Sequence, residues 1–207
     1  MSFDLSLDEG VYLVRLARRA IETYLRSRRI IEPRDAPEKL RRPCGVFTTL
    51  NKVTDSHREL RGCIGFPYPI KPLAEAVVAS AISAAVEDPR FPPLSLGELG
   101  KVVVEVSVLT PPEVIRVEDP RDYPKVIRVG VDGLIVERGS RSGLLLPQVP
   151  VEWGWDAEEF LTQCCLKAWL PPDAWLMKGT RISRFQAIIF EEREPGGEVE
   201  RRRLPSG

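Results

Sequence analysis

The spacing of apolar residues along the chain predicts three helices. Over Leu7–Ser27 apolar positions recur every three or four residues, which gives one apolar stripe along a helix. The segment Ser6-Leu7-Asp8-Glu9 is a capping box, in which the serine and the glutamate each bond a free backbone amide. Residues 73–87 are apolar around most of the helix circumference, so the second helix should be nearly buried. The third helix is predicted over residues 156–169, capped by Asp156.

Valine-rich and alternating segments predict the strands. The first two strands form an antiparallel hairpin, and the fourth and fifth form a second hairpin. A proline-rich link follows the first hairpin and separates it from the second helix. The predicted strands cover residues 44–50, 59–64, 102–109, 129–137, 143–146 and 184–192.

The order hairpin, proline-rich link, helix and strand occurs twice, over residues 44–109 and 130–191. Each hairpin also contains a glycine. We interpret this recurrence as a structural duplication. The predicted fold class is α+β, with a duplicated hairpin-helix-strand unit that forms one curved, barrel-like antiparallel sheet with helices packed outside.

The chain length of 207 residues fits a single domain with a substantial core. Two lobes that share this core, over about 1–110 and 111–192, are compatible with the same length. Residues 193–207 are charged and glycine-rich, and we predict that they form a flexible tail.

Composition narrows the class of protein. The 30 basic and 30 acidic residues give no net charge, which leaves a nucleic-acid partner unsupported because such a binder needs excess positive charge. No apolar run approaches the roughly 20 residues that span a bilayer, and the start of the chain lacks a secretion signal. We therefore expect a cytoplasmic protein. Among the 30 basic residues arginine predominates, and with 19 prolines this gives a thermophile-like composition.

Metal and cofactor sites have no support in the sequence. The four cysteines form no Cys-x-x-Cys pair, and the only histidine is His57, so a structural zinc site is not expected. Neither a phosphate-binding glycine loop nor a serine-hydrolase or zinc-protease motif is present. We predict no metal, no cofactor and, in a reducing compartment, no disulfide.

The segment Leu60-Arg61-Gly62-Cys63-Ile64-Gly65 carries the main candidate for chemistry. In an extended strand Arg61 and Cys63 are two positions apart, so their side chains should share a face, about 7 Å from each other. A nearby guanidinium favours the thiolate over the thiol and makes the sulfur more nucleophilic. Gly62 and Gly65 leave room beside the sulfur for a substrate or for another backbone. We predict Cys63 and Arg61 as candidate catalytic residues, and Gly62 and Gly65 as candidate substrate-binding residues.

A base for this cysteine is missing from the same segment. A cysteine nucleophile usually works with a histidine, and His57 lies six residues upstream. If that stretch is extended, roughly 20 Å separate the two residues. The alternative interpretation is that Cys63 packs as a small apolar residue inside a sheet. The residues alone leave both interpretations open.

Two further clusters are candidates for substrate binding. Asp88 and Arg90 follow the nearly buried helix in a loop stiffened by prolines, where they either line a pocket or pair and close the loop onto the backbone. Gln148 and Glu152 precede the third helix together with two tryptophans. This second group suits a planar or cationic ligand, although tryptophans in such a place also seal the edge of a core.

Four segments together carry a resemblance to a known family. They are Leu60-Arg61-Gly62-Cys63-Ile64-Gly65, Asp88-Pro89-Arg90-Phe91-Pro92-Pro93-Leu94, Glu105-Val106-Ser107-Val108-Leu109-Thr110-Pro111-Pro112 and Gly143-Leu144-Leu145-Leu146-Pro147-Gln148-Val149. The chain resembles the AMMECR family from about residue 8 to 192, in its stand-alone archaeal form. The resemblance implies a duplicated α+β unit around one barrel-like sheet, with no established reaction.

The same resemblance implies partners and site positions. Similar domains in some microbes are joined to a Memo-like domain and travel with a radical-SAM partner, which implies a modification pathway with an unknown target. Carried over by position, the first block gives Arg61, Gly62, Cys63 and Gly65, the second Asp88 and Arg90, the third Gln148, and a later helix Cys165 and Lys167. One departure is Trp169, which stands where the family usually has glycine and would narrow a pocket at that helix end.

The residues and the resemblance lead to two hypotheses. In the first, the protein is an enzyme or enzyme component that modifies a protein or RNA target through a cleft containing Cys63. Arg61 then stabilises the thiolate or an anionic group, while Asp88 and Gln148 orient the substrate. In the second, the protein is a non-catalytic binding or adaptor module for a partner enzyme, and the cysteine segment is a rigid turn.

Overall fold

The chain folds as an α+β protein with antiparallel sheets. The structure is a computed structural model, and it describes residues 4–54 and 57–203. The chain divides into two compact units, of which the first runs to Leu109 and also contains Ile188–Arg202. The second unit comprises Thr110–Ala187. The border after Leu109 lies close to the expected one, but the last strands belong to the first unit and not to the second.

Six α-helices and nine strands are found within the described residues. The helices are α1 Leu7–Ser27, α2 Leu73–Val86, α3 Leu96–Leu99, α4 Tyr123–Val126, α5 Gln148–Trp153 and α6 Ala157–Lys167. The strands are β1 Gly45–Val53, β2 Arg58–Phe66, β3 Val102–Leu109, β4 Glu113–Val114, β5 Gly133–Arg138, β6 Arg141–Leu145, β7 Arg181–Phe185, β8 Ala187–Glu192 and β9 Val199–Arg202. Short 3₁₀ helices cover Glu38–Arg41, Pro120–Asp122 and Ala174–Leu176.

The predicted boundaries of the first helix are confirmed. Ser6 accepts a hydrogen bond from the Glu9 amide at 3.2 Å, and Glu9 accepts one from the Ser6 amide at 2.7 Å. These bonds satisfy backbone donors that the first helical turn leaves free. No helix in the described part of the chain has both the length and the apolar character that a membrane crossing needs.

The first unit is built on a five-stranded sheet in the order β2-β1-β3-β8-β9. Helices α1 and α2 pack against it, and their apolar residues form one core with the sheet. A buried ion pair ties α1 to β8, since the Arg18 guanidinium donates to both carboxylate oxygens of Glu192. Glu192 also accepts from the Val104 amide at 3.0 Å, so helix and sheet are bonded through one carboxylate.

The flexible tail predicted for residues 193–207 is wrong for residues 199–202. This segment is β9, which pairs with β8 in an antiparallel register from Val199 to Arg202. Val199 is buried, and Arg202 donates to Glu105 at 3.1 Å. The charged residues that suggested fraying therefore have partners in the fold, and residues 204–207 lie outside the described residues.

The second unit has its own four-stranded sheet in the order β4-β7-β5-β6. Helix α6 packs on it, and Asp156 caps this helix by accepting from the Glu159 amide at 2.8 Å. Phe160, Leu161 and Cys164 are completely buried in the core of this unit. The prediction of a helix capped by Asp156 is confirmed.

The described strands form two sheets and no closed barrel, so the expected single barrel-like sheet is not confirmed. The strand predicted over residues 184–192 is in fact two strands, one in each sheet. The break lies at Gln186, whose amide donates to the Thr110 hydroxyl and whose carbonyl accepts from the Thr110 amide. With its backbone bonded to Thr110, Gln186 does not continue either ladder.

The predicted duplication is visible in the strand pairing. Hairpin β1–β2 has β3 against β1, and hairpin β5–β6 has β7 against β5 in the same arrangement. In both units a glycine of the second strand lies under the last turn of the helix that follows. A methyl group on Gly62 would lie 2.1 Å from the Ala84 carbonyl oxygen, and one on Gly143 would lie 2.6 Å from the Cys164 carbonyl oxygen.

This close approach of helix and strand yields a stability prediction. We expect Gly62→Ala to lower the free energy of unfolding by about 1–3 kcal/mol, because its methyl group meets helix backbone and not a movable side chain. Chemical denaturation would measure the change. The matched control is Gly97→Ala in α3, where nothing lies within 4 Å of the added methyl group. A Gly62→Ala protein as stable as the control would contradict the packing described.

Candidate functional site

Cys63 lies on β2, which is an edge strand of the first unit's sheet. Its backbone is held from outside the sheet by the loop that follows α2. The Cys63 amide donates to Asp88 Oδ2 at 2.8 Å, and the Cys63 carbonyl oxygen accepts from Arg90 Nη2 at 3.4 Å. We call this arrangement the Asp88–Arg90 clamp. It satisfies the backbone of one edge-strand residue, a position that would otherwise be open to another strand.

The clamp is formed by a short turn at the end of α2. Pro89 blocks continuation of the helix, and the Leu94 amide returns to the Ala85 carbonyl oxygen at 2.7 Å. Arg90 donates to Asp88 Oδ1 from its backbone amide at 3.1 Å and from Nε at 2.9 Å. Its Nη2 donates to Asp88 Oδ2 at 2.7 Å. Of the two interpretations given for this pair, pairing and closure onto the backbone is the one observed.

Asp88 is ionised and fully engaged within this clamp. Its side chain is only 2 % exposed, and burial alone would raise its pKa. Hydrogen bonds from Arg90 and from the Cys63 amide outweigh burial and lower the pKa of Asp88 to about 2. Because both carboxylate oxygens already accept these bonds, Asp88 positions Cys63, and the expected role in orienting a substrate loses its basis.

The same local turn occurs a second time in the chain, at a place where its carboxylate does not bond a strand amide. Asp119-Pro120-Arg121 repeats Asp88-Pro89-Arg90, and Arg121 bonds Asp119 through its amide, Nε and Nη2. There the carboxylate side chain is 40 % exposed. The sequence Asp-Pro-Arg therefore explains the ion pair in both places, whereas the bond to Cys63 depends on where α2 ends above β2.

The Cys63 sulfur has a hydroxyl donor on the neighbouring strand. Thr49 is the cross-strand partner of Cys63, and its Oγ1 donates to Sγ at 3.3 Å. The residue as a whole is only partly buried. Thr49 was not among the candidates, because its position opposite Cys63 depends on an irregular register that the sequence did not reveal.

That irregularity also separates Arg61 from Cys63. The register of β1 with β2 shifts between Leu50 and Asn51, so that Arg61 is an extra residue without a cross-strand partner, as in a β-bulge. Strict alternation of side chains does not hold through a bulge. The Arg61 guanidinium instead donates to Glu98 at 3.2 and 3.4 Å. The assignment of thiolate stabilisation to Arg61 therefore loses its basis.

Arg90 is the cation that interacts with Cys63. The pKa of Arg90 is raised first by its hydrogen bond to Asp88 and also by its charge interaction with Cys63. Since such an interaction is mutual, the positive charge of Arg90 favours the thiolate of Cys63. Arg90 and Arg61 both lie against the ring of Phe91, at 5.5 and 5.8 Å from its centroid.

The two glycines of the segment make room for protein and not for a ligand. The space beside Gly62 is filled by the backbone of Ala84. A methyl group on Gly65 would lie 2.3 Å from the Val46 carbonyl oxygen and 2.4 Å from the ring of Phe47. Of the two alternatives given for these glycines, close approach of another part of the protein is the one seen at both positions.

The other three cysteines are in environments that favour the neutral thiol. Burial raises the pKa of Cys44 and of Cys165, and it raises that of Cys164 to about 12. Cys164 donates to the carbonyl oxygens of Leu134 and Gly143 inside the second unit's core. Cys165, which the family resemblance singled out, is likewise buried. All four cysteines are free thiols.

His57 is not placed to act as a base for Cys63. Its Nε2 pairs with Glu59 at 2.9 Å and its Nδ1 with the Thr54 hydroxyl at 3.3 Å. It directly precedes β2, and the extended strand carries Cys63 roughly 20 Å away from it. Within residues 4–54 and 57–203, no group of three or more histidine, cysteine or acidic residues is arranged to hold a metal ion.

The remaining candidates belong to the second unit, whereas Cys63 belongs to the first. Gln148 and Glu152 lie on α5, a short helix that the sequence did not predict, with Gln148 buried and Glu152 exposed. Trp153 and Trp155 stack with their ring centroids 5.9 Å apart. Trp153 is 70 % exposed, whereas Trp155 packs against the core of this unit. Lys167 is the exposed last residue of α6.

The clamp predicts how stability depends on acid. Aspartate has an ordinary pKa of 3.8, so the lowered pKa of Asp88 stabilises the fold by about 2 kcal/mol above pH 4. This contribution should be lost as the pH falls from about 4 through 2. Urea denaturation at each pH should show that loss in the unaltered protein and a smaller one in Asp88→Asn.

The second Asp-Pro-Arg turn supplies the matched control for this experiment. Asp119→Asn removes the same local ion pair at an exposed position, where solvent screens the charges. We expect it to change the free energy of unfolding less than Asp88→Asn at pH 7. Equal effects of the two substitutions would show that the bond to Cys63 adds nothing to stability.

Comparison with known proteins places the chain in a family. A model of the AMMECR1 family matches residues 14–190. A protein of Thermococcus gammatolerans is 60 % identical over 197 residues, which cover 94 % of this chain and 96 % of that protein. Protein MJ0810 of Methanocaldococcus jannaschii is 55 % identical over 200 residues, which cover 97 % of this chain and 98 % of the relative.

A solved structure agrees with the fold. The crystal structure of the uncharacterized protein PH0010 from Pyrococcus horikoshii superposes with a TM-score of 0.92 at 57 % identity. The match covers 95 % of this chain and 98 % of that one. With a family model spanning most of its length and relatives at this level of identity, the chain belongs to the AMMECR1 family.

Proposed function

We propose that this protein is a cysteine-dependent enzyme, or a component of one, that modifies a protein or RNA target through Cys63. The proposal rests on the hydrogen bonds that Cys63 makes with its neighbours. The Cys63 backbone is clamped by Asp88 and Arg90, while its sulfur accepts a bond from Thr49 and the residue is only partly buried. A fixed, reachable sulfur beside a cation is what a thiolate nucleophile requires.

Each neighbour has a separate role in the proposed chemistry. Asp88 fixes the strand position and holds the Arg90 guanidinium beside the cysteine. Arg90 lowers the energy of the thiolate, and the Thr49 hydroxyl donates to the negative sulfur. The thiolate then forms a bond to an electrophilic carbon of the target, and the leaving group departs with the bonding electrons. A nucleophile of a second acceptor then attacks the same carbon, and the carbon–sulfur bond breaks with its electrons returning to sulfur, which regenerates the thiolate.

The alternative function is a non-catalytic binding or adaptor module for a partner enzyme. The position of His57 favours this alternative, because the histidine pairs with Glu59 and Thr54 and supplies no base to Cys63. In this alternative the partner is an enzyme of the Memo-like or radical-SAM kind that the family resemblance implies. The two functions differ in one measurable property, the ionisation of Cys63.

Alkylation of Cys63 by iodoacetamide between pH 5 and 9 separates the two functions. The rate follows the thiolate fraction, so an enzyme of the proposed kind should react with an apparent pKa well below the ordinary thiol value of about 8.5. We expect Arg90→Gln to raise this apparent pKa by about 1, because a positive charge is removed. Peptide mass spectrometry would follow Cys63 separately from the other three cysteines.

Two further variants distinguish charge from structure. Asp88→Asn keeps an oxygen for the Cys63 amide but exposes the charge of Arg90, so the apparent pKa should fall. Arg61→Gln is the matched control, since its guanidinium is paired with Glu98, and it should leave the profile unchanged. An ordinary profile above about pH 8.5 that none of these variants alters would favour the binding module. A Cys63 that cannot be alkylated in the folded protein would refute the nucleophile.

A further inference from the structure

A cavity of about 630 Å³ lies in the second unit, at the end of the sheet where β5 turns into β6. The turn has Gly139 at a positive φ of 60°, and a second glycine at a positive φ, Gly179 at 90°, lies on the opposite loop. The size is within the range of small-molecule sites in proteins. Both cationic and apolar side chains line the cavity, among them Arg138, Arg141, Lys178, Leu170 and Pro171.

The cavity is lined by positive charge that is not balanced by acidic groups. Arg138, Arg141 and Lys178 all line it, and no aspartate or glutamate does. Within the described residues none of these three side chains forms an ion pair with a carboxylate. In a chain with equal numbers of acidic and basic residues, three uncompensated cations around one cavity form a local site for an anion.

Both arginines are fixed in place by backbone oxygens. Arg138 Nη1 donates to the Lys178 carbonyl oxygen at 2.8 Å and to the Thr180 hydroxyl at 3.1 Å. Arg141 Nη1 donates to the carbonyl oxygen of Trp169. A guanidinium carries five N–H groups, so each arginine keeps further donors while its orientation is set. Such a fixed fork matches the geometry of a phosphate group.

The backbone of Trp169 is adjacent to this cavity, although its side chain is not part of the lining. It directly precedes Leu170 and Pro171, which line the cavity, and its carbonyl oxygen anchors Arg141. Its φ of 56° is a left-handed conformation that is unfavourable for a residue other than glycine. Its side chain is nevertheless 85 % exposed, so burial does not compensate for the backbone strain and no interior pocket is narrowed by it. The exposed indole offers a surface on which a planar ligand can stack.

We propose that this cavity binds the phosphate of a nucleotide through Arg138, Arg141 and Lys178, and that Trp169 stacks on the base. Stacking on an aromatic side chain tolerates any base, because every base has a π face. The ligand is therefore defined by a phosphate joined to a planar ring and not by base identity. The site is independent of the function proposed for Cys63, and either can fail without the other.

Equilibrium binding with three small probes tests the site. Adenosine monophosphate carries both parts, adenosine carries only the base and sugar, and inorganic phosphate carries only the anion. By calorimetry at low salt we expect the nucleotide to bind more tightly than either part by about 10-fold or more. Arg141→Gln and Lys178→Gln should each weaken nucleotide binding by about 10-fold. Equal affinity for the nucleotide and for inorganic phosphate would overturn the role of Trp169.

Substitution of Trp169 by glycine gives a readout that a structural role would not produce. Glycine adopts the left-handed conformation without strain, so Trp169→Gly should raise the melting temperature while nucleotide affinity falls to that of phosphate. Ligand-induced quenching of tryptophan fluorescence should disappear in the same variant. Trp153→Gly, at another exposed tryptophan of this unit, is the control and should keep nucleotide affinity. No nucleotide binding, or binding that Arg141→Gln leaves intact, would refute the proposal.

Discussion

The hydrogen bond from the Cys63 amide to the Asp88 carboxylate is the interaction on which the candidate site depends. It joins the loop after α2 to the edge strand β2 at one residue, with a donor-acceptor distance of 2.8 Å. A buried carboxylate is costly unless its oxygens are bonded, and here both oxygens accept bonds from Arg90 or Cys63. Without the strand amide the loop would retain its own ion pair, as the second Asp-Pro-Arg turn does, but the shorter of the clamp's two bonds to Cys63 would be lost.

Several properties of the site result from that contact. The clamp keeps Arg90, and not Arg61, as the cation beside Cys63, because the bulge in β2 directs Arg61 to Glu98. It also covers the strand edge at this residue, because the Cys63 amide and carbonyl are both bonded by the clamp. The hydroxyl of Thr49 completes the surroundings from the neighbouring strand. Burial raises the pKa of each of the other three cysteines.

Much of the fold could be predicted because it rests on local patterns. The capping box at Ser6, the Asp156 cap and the valine-rich β3 are each decided by residues within a few positions. The predictions that failed depend on contacts between residues that are far apart in the sequence. Nothing near Gln186 signals that Thr110 bonds both sides of its backbone and divides one expected strand into two. Likewise β9 forms because distant strands and side chains accept its charged residues, which by composition alone indicate a frayed end.

For the candidate site, too, the sequence predicted which residues matter but not how they contact one another. Cys63, Asp88 and Arg90 could be singled out from the sequence, and they lie together. The roles of these residues could not be predicted, since the bulge at Arg61 and the position of Thr49 depend on how two strands align. Gly62 and Gly65 were correctly expected to allow close approach, but only the packed structure shows that protein backbone fills the space.

Amide hydrogen exchange at Cys63 is the most direct test of the clamp. An unpaired edge-strand amide exchanges rapidly with water, whereas one bonded to a buried carboxylate is protected. By NMR at pH 7 we expect the Cys63 amide to exchange at least about 100-fold more slowly than an unprotected peptide amide. Asp88→Ala should abolish that protection, and Asp119→Ala should leave it intact. Rapid exchange at Cys63 in the unaltered protein would contradict the clamp, and with it the roles given to Asp88 and Arg90.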